Sequence, residues 1–136
     1  MTKSFLFLIS LSFIIFINCQ ENYEMLNLKN FEWKNRVLII GGDSSKFKSQ
    51  LDQINLESNE FTDRDLVIIL IEEDNSRISY DGLKTIKTID YDSTLNLRNK
   101  YNFKEFKLIL IGNDGGEKYN SKKLVSINVI YELIDG

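Results

Sequence analysis

FKLILIGNDGGEKY, residues 106–119, opens with an apolar strand, breaks at Asn113-Asp114-Gly115-Gly116 and returns as a polar run. Residues 108–111 are apolar at every position, the pattern of a strand buried on both faces. Asparagine and glycine supply the positive φ values that a tight hairpin needs. Residues 117–120 are mostly polar, which suits a strand at the sheet edge. A central strand leading into an edge strand therefore anchors the C-terminal half.

Upstream, two further runs repeat the uninterrupted apolar pattern. Residues 37–40 stop at Gly41-Gly42, and residues 66–71 lie between Thr62-Asp63-Arg64-Asp65 and Glu72-Glu73-Asp74. Between them, Asp43, Ser44 and Ser45 are N-cap residue types, and Phe47, Leu51 and Ile54 recur at i, i+4 and i+7. That spacing predicts an amphipathic helix ending near Ser58, so strand, helix and strand make a right-handed parallel crossover. Residues 75–92 carry only loosely spaced Ile78, Tyr80, Ile86 and Ile89 around an Asp81-Gly82 turn, and read as a short insert. Asp92, Ser93 and Thr94 then predict an N-cap, with Leu97 and Tyr101 on the apolar face of a helix ending near Asn102. Ser126 opens a last helix whose apolar face is Ile127, Ile130, Tyr131 and Ile134. Trp33, Tyr101 and Phe106 are expected in the core, Trp33 as its cap. Arg36 and Asp65 are expected to pair near the ends of the parallel strands. The assembled order is β-α-β-α-β-β-α, an α/β chain with a central mixed sheet in a three-layer α/β/α sandwich.

The N-terminus reads as a targeting segment. Lys3 precedes an apolar run from residue 5 to residue 17, interrupted only by Ser10 and Ser12, and Asn18 and Cys19 follow. This run is shorter than the 18 or more residues of a spanning helix. We assign residues 1–18 to a signal peptide, 19–32 to a tether and 33–136 to the folded domain. A cysteine directly after the apolar region resembles the bacterial lipoprotein pattern, in which that cysteine is lipid-modified and becomes the first mature residue. Asn18 and Phe16 depart from the small residue and leucine usual at those positions. An uncleaved anchor, an ordinary cleaved signal and a free terminal thiol stay open as alternatives.

Composition closes several chemistries. The chain has no histidine, no proline, no alanine and one cysteine among its 136 residues. Ser-His-Asp, Cys-His and histidine-zinc arrangements are therefore excluded, as are an internal disulfide and a Cys-x-x-Cys pair. Net charge is −3, and removal of residues 1–18, whose only charge is Lys3, makes it −4. An acidic chain does not offer the basic surface that nucleic acid requires.

The element order is similar to the thioredoxin fold, where a parallel βαβ half is joined by a helix to an antiparallel ββα half. More specifically, three segments resemble the DUF4174 family, thioredoxin-like domains of bacterial exported proteins and of some animal extracellular sushi-repeat proteins. They are Trp33-Lys34-Asn35-Arg36 leading into residues 37–40, Asp63-Arg64-Asp65-Leu66-Val67, and residues 110–118 around Gly112-Asn113-Asp114-Gly115-Gly116. Leu133-Ile134-Asp135 is a family-like ending, although the short Met-Pro-Arg-like tail common in members is absent. The resemblance covers residues 28–135. A peroxiredoxin-like ancestry has been suggested for the family. The thioredoxin resemblance places thiols in the loop after the first strand, at a helix N-terminus that lowers a thiol pKa. Here that loop, residues 41–46, has no cysteine, and residues 103–106 lack the proline that thioredoxin-like enzymes hold in cis before the hairpin.

Each candidate site has a structural counterpart. Asp43, Ser44, Ser45 and Lys46 after two glycines suit an anion at a helix N-terminus, but match neither G-x-G-x-x-G nor the P-loop, and Asp43 opposes a negative ligand. A tight turn and an N-cap serine are the preferred account of them. Glu72, Glu73 and Asp74, with Asp90 and Asp92, are hard-cation ligand types without EF-hand spacing, and a solvated acidic rim accounts for them. Paired carboxylates for glycoside hydrolysis would find little substrate cleft in so small a domain. Asn113 and Asp114 form a loop tip suited to recognition, beside the demands of the turn itself. The expectation is a non-catalytic interaction or structural module without cofactor or metal, exported and lipid-anchored at Cys19, contacting another envelope or extracellular protein. The alternatives are a thiol-dependent oxidoreductase or peroxidase-like enzyme using unlipidated Cys19, and a small-molecule or cation-binding domain.

Overall fold

The computed structural model describes residues 23–136 apart from Asp43 and Asp74, with backbone alone at Ser44, Glu57 and Ser58. The signal segment and Cys19 lie outside the described residues. Six strands form one mixed sheet: β1 (Arg36–Gly41), β2 (Leu66–Ile71), β3 (Ser76–Ser79), β4 (Lys87–Ile89), β5 (Lys107–Ile111) and β6 (Glu117–Ser121), in the order β4-β3-β2-β1-β5-β6. β1 and β2 are parallel, with Val37 beside Val67 and Gly41 beside Ile71. β5 is antiparallel to β1, with Gly41 beside Lys107 and Val37 beside Ile111.

Central strands buried on both faces explain the unbroken apolar runs, because each side chain has a helical layer to enter. Leu38, Ile40, Leu66, Ile68, Leu70, Leu108 and Leu110 meet Phe47 and Ile54 of α1 (Ser44–Glu57) and Ile127, Ile130 and Tyr131 of α3 (Ile127–Asp135). Val37, Ile39, Val67, Ile69, Ile71, Ile109 and Ile111 meet Leu97 of α2 (Tyr91–Tyr101), Phe103 and Phe31. The three layers are the expected ones.

The weakly patterned insert is a β-hairpin. β3 pairs antiparallel with β2 and β4 with β3, so the insert widens the sheet on the β2 side. Ile78 and Ile89 of this hairpin are buried in the second core. Its short strands hold only three or four residues, too few for a period-2 signal to emerge.

Three expectations need correction. Trp33 does not cap the core: it is 78% exposed, in a left-handed conformation with φ of 64°, after the 3-10 turn Leu28–Phe31. Phe31 enters the core in its place, while Trp33 donates its backbone N–H to the Asn113 carbonyl at 2.6 Å. Phe106 is buried as expected, and Tyr101 is half-buried. Asp92, Ser93 and Thr94 do not cap α2. Asp90 does, accepting from the Ser93 N–H at 3.1 Å, and Ser93 and Thr94 are buried within the first turn. Arg36 does not bridge to the Asp65 side chain; its guanidinium donates to the Arg64 carbonyl at 3.1 Å and its backbone N–H to the Asp65 carbonyl at 3.0 Å. The ion pairs at this end belong to Arg64, with Asp135 at 2.7 Å and Glu60 at 3.1 Å, its guanidinium lying 4.0 Å from the Tyr131 ring centroid.

Candidate functional site

Parallel strands end where their carbonyls and the following helix N-terminus face solvent, and clefts form there. At the C-terminal ends of β1 and β2 an open cleft of about 1430 Å³ is lined by Gly42, residues 45–48, Glu72, Glu73, residues 102–106 and Lys122, with Arg98 and Asn99 from α2. Three connections meet here. The loop from β1 into α1 forms one wall, residues 102–106 before β5 form the opposite wall, and α2 contributes the third.

The two walls touch at Gly42. Its φ of 103° suits glycine, and an added Cβ would stand 2.0 Å from the Glu105 carbonyl oxygen and 2.5 Å from the Phe106 nitrogen. Gly41 is similarly confined, with Phe103 and the Ile71 carbonyl each 2.9 Å from an added Cβ. The glycine pair that reads as a strand stop is thus also the place where two loops close on each other.

Charge in the cleft is mixed and mostly positive: Lys46, Lys48, Arg98, Lys104 and Lys122 against Glu72, Glu73 and Glu105. Some of it is already committed. Glu72 pairs with Arg77 at 2.9 Å, and Arg98 donates to the Glu73 carbonyl.

The candidates drawn from the sequence fall into two groups that do not meet. Ser45 and Lys46 are exposed on the cleft wall in the first turn of α1, Ser44 opens that helix, and Asp43 lies outside the described residues. Asn113 and Asp114 sit after β5, beside the start of β1, so the length of β1, about 17 Å, separates them from the cleft. There Asp114 is a turn residue, accepting from the Gly116 N–H at 2.9 Å and from the Lys118 ammonium at 2.8 Å. The Lys118 ammonium, then the Gly116 N–H, hold its carboxyl below the usual range. Gly115, with φ of 80°, packs against Glu32, so the tip rests on the turn that carries Trp33.

The acidic residues do not gather. Glu72 faces Arg77, Asp90 caps α2 and Asp92 is exposed, while Asp74 lies outside the described residues. Among the described residues, no group of three carboxylate, histidine or cysteine side chains is placed to hold a metal ion. No described helix is long and apolar enough to cross a membrane. Lys104, Lys122, Arg98, Asn99 and Asn102 were not singled out in the sequence, because isolated polar residues in loops and helix ends carry no periodicity. A signal existed only in their position after predicted strands and helices.

A family model described as a domain of unknown function (DUF4174) matches residues 27–136. No curated protein matches the sequence. Among solved structures, the chain is similar to the mitochondrial 2-Cys peroxiredoxin from Plasmodium falciparum, with a TM-score of 0.56 and 10% identity over 81% of this chain and 79% of that one. At that identity the likeness concerns the fold, which is thioredoxin-like.

Proposed function

The chain belongs to the DUF4174 family, and on that footing we propose that it is a non-catalytic thioredoxin-like module, exported and lipid-anchored at Cys19, whose cleft receives a segment of another envelope or extracellular protein. The observation that carries this reading is the composition of the cleft. The place where thioredoxin-like enzymes hold thiols is built here from glycine, serine, amines and carboxylates, with Gly42 closed against Glu105. A volume of about 1430 Å³ exceeds the range of about 300–1,000 Å³ usual for small-molecule sites, and the open, charged walls suit a polypeptide. Five cations against three carboxylates favour an acidic segment.

Crosslinked capture from the native membrane fraction tests the reading. One specific partner is expected with the wild type, and its yield should fall at least tenfold in a Lys46→Glu, Lys104→Glu, Lys122→Glu variant that melts like the wild type. Capture unchanged by charge reversal would sink the cleft as the contact. Intact mass of the same preparation reads the tether, since acylation of Cys19 adds the mass of its lipid and consumes the chain's one thiol. Peroxide consumption that disappears in Cys19→Ser would instead establish a thiol enzyme.

A further inference from the structure

At the end of the sheet opposite the cleft, backbone contacts gather four segments. The starts of β1 and β2 are paired, Arg36 beside Leu66, and β5 ends next to them with Ile111 opposite Val37. The Trp33 N–H binds the Asn113 carbonyl, the Asn35 side-chain amide donates to the Asp65 carbonyl at 3.3 Å, and Arg64 holds Asp135 at the end of α3. Residues 32–36, 60–65, 113–118 and 132–136 therefore share this end, and they carry eight carboxylates against four cations. Helix direction acts in the same sense. α1 and α3 start at the cleft, after Gly42 and after Lys122, and run back to this end, so the negative ends of their dipoles lie here and the positive ends at the cleft. The domain is thus polar along β1: net positive at the cleft, where five cations face three carboxylates, and net negative at the far end.

Trp33 belongs to the negative end. It is exposed, and its φ of 64° is a left-handed conformation that a bulky residue adopts only under strain. Strain of this kind is kept where a side chain serves recognition, and tryptophan is enriched among the anchors of interfaces. The cleft supplies the complement. Lys46, Lys48, Lys104 and Lys122 line it without an ion pair among the described residues, and Phe47, Phe103 and Phe106 line it too. We propose that the cleft of one copy receives the Trp33 end of a second copy, with the indole against the phenylalanines and the surrounding carboxylates facing the lysines. This rests on the cleft reading above and names another copy of this chain as the partner. Because the two surfaces lie at opposite ends, the contact is head-to-tail and leaves one cleft and one Trp33 end free to continue the row. Pairing of like ends is opposed by their like charge.

A charge swap between copies tests this. Full-length copies bearing two different tags are expressed together, and one tag is captured from the solubilised membrane fraction at low salt. Wild-type copies should capture each other. Recovery should fall at least about tenfold when both copies carry Lys46→Glu, Lys104→Glu and Lys122→Glu, or when both carry Glu32→Lys and Asp63→Lys. It should return when one copy carries each set, since a negative cleft then meets a positive end and a positive cleft a negative one. A mixed pair recovered no better than either set alone overturns the proposal. Trp33→Gly, which suits the left-handed backbone, should melt close to the wild type and lower recovery by a similar factor. Unchanged recovery in that variant overturns the seating of Trp33. If wild-type copies do not capture each other while the cleft still takes a different protein in a charge-dependent way, the second copy is overturned and the cleft reading stands. Capture of that protein unchanged by reversal of the cleft lysines overturns the cleft reading instead.

Discussion

Gln50 lies buried in α1, and both ends of its amide are used. Its Nε2 donates to the Val125 carbonyl at 2.8 Å, and its Oε1 accepts from the Val125 N–H at 2.9 Å. The side chain thus acts as a strand-like partner for the segment that leads into α3. Gln50→Ala would leave both backbone groups of Val125 buried and unpaired, and should cost about 2–4 kcal/mol in urea unfolding with an unchanged m-value. A loss below about 1 kcal/mol would mean that water reaches Val125. Tyr80 gives the alkaline counterpart. Burial first, then its hydrogen bond to the Glu24 carboxylate, raises its phenol well above the ordinary tyrosine value, with the Lys87 ammonium 5.9 Å from the ring. A raised folded pKa favours the protonated form. The resulting stability is fully present below about pH 10 and is lost as pH rises through the folded value. Ultraviolet titration should show one tyrosine ionising after the others, and Tyr80→Phe should remove that late step.

At the scale of elements, capping decides where α2 begins. Asp90 accepts from the Ser93 N–H and hydroxyl, and chiefly that hydroxyl contact holds its carboxyl below the usual range. Asp90→Ala should cost about 1 kcal/mol, whereas Asp90→Asn, which keeps an accepting oxygen, should cost less. The depressed value also sets a sign. This stability is present above about pH 3.9, is lost as pH falls through the folded value, and should be missing from the acid limb of the Asn variant. Asp90 illustrates what the sequence hides. Four N-cap types within five residues, Asp90, Asp92, Ser93 and Thr94, leave the helix start undecided until tertiary contacts place Thr94 against Ser76 at 2.5 Å and Ser93 against Leu26. The long elements were legible because residues 37–40, 66–71 and 108–111 are buried on both faces and show it at every position. Trp33 was misplaced because hydrophobicity cannot reveal a left-handed turn that points a ring at solvent. The cleft was half legible: its α1 wall follows from the strand stop and helix start, but the opposite wall depends on β5 folding back beside β1, which brings Lys104 and Glu105 near Lys46 only in three dimensions.

For the whole molecule, the question raised by the widened sheet is whether β3 and β4 form a satellite or share one core with the thioredoxin-like frame. Ile78 pairs with Ile69 of β2, is fully buried, and joins the cluster that contains Ile71, Ile89 and Leu97. That cluster also receives Phe31, while Glu24 adds a bridge at the outer edge of β4, so residues 24–31 and the hairpin cover the same face. Burial of this kind couples the edge to the centre, because opening the hairpin would expose β2 and the inner side of α2 together. Ile78→Ala should therefore cost about 3 kcal/mol, the ordinary penalty for emptying a core position. The loss should appear as a shift of one cooperative transition, seen at the same urea concentration by far-ultraviolet circular dichroism and by Trp33 fluorescence. Trp33 precedes β1, two strands away from β3 in the sheet order, so coincidence of the two signals tests coupling between the hairpin and the centre of the sheet. A separate step at low urea, visible in circular dichroism and silent at Trp33, would show that the hairpin unfolds alone. In that case α2, which carries part of the cleft and starts beside β4, would be held by the hairpin only locally, and the orientation of the cleft would become a property of the hairpin instead of the fold.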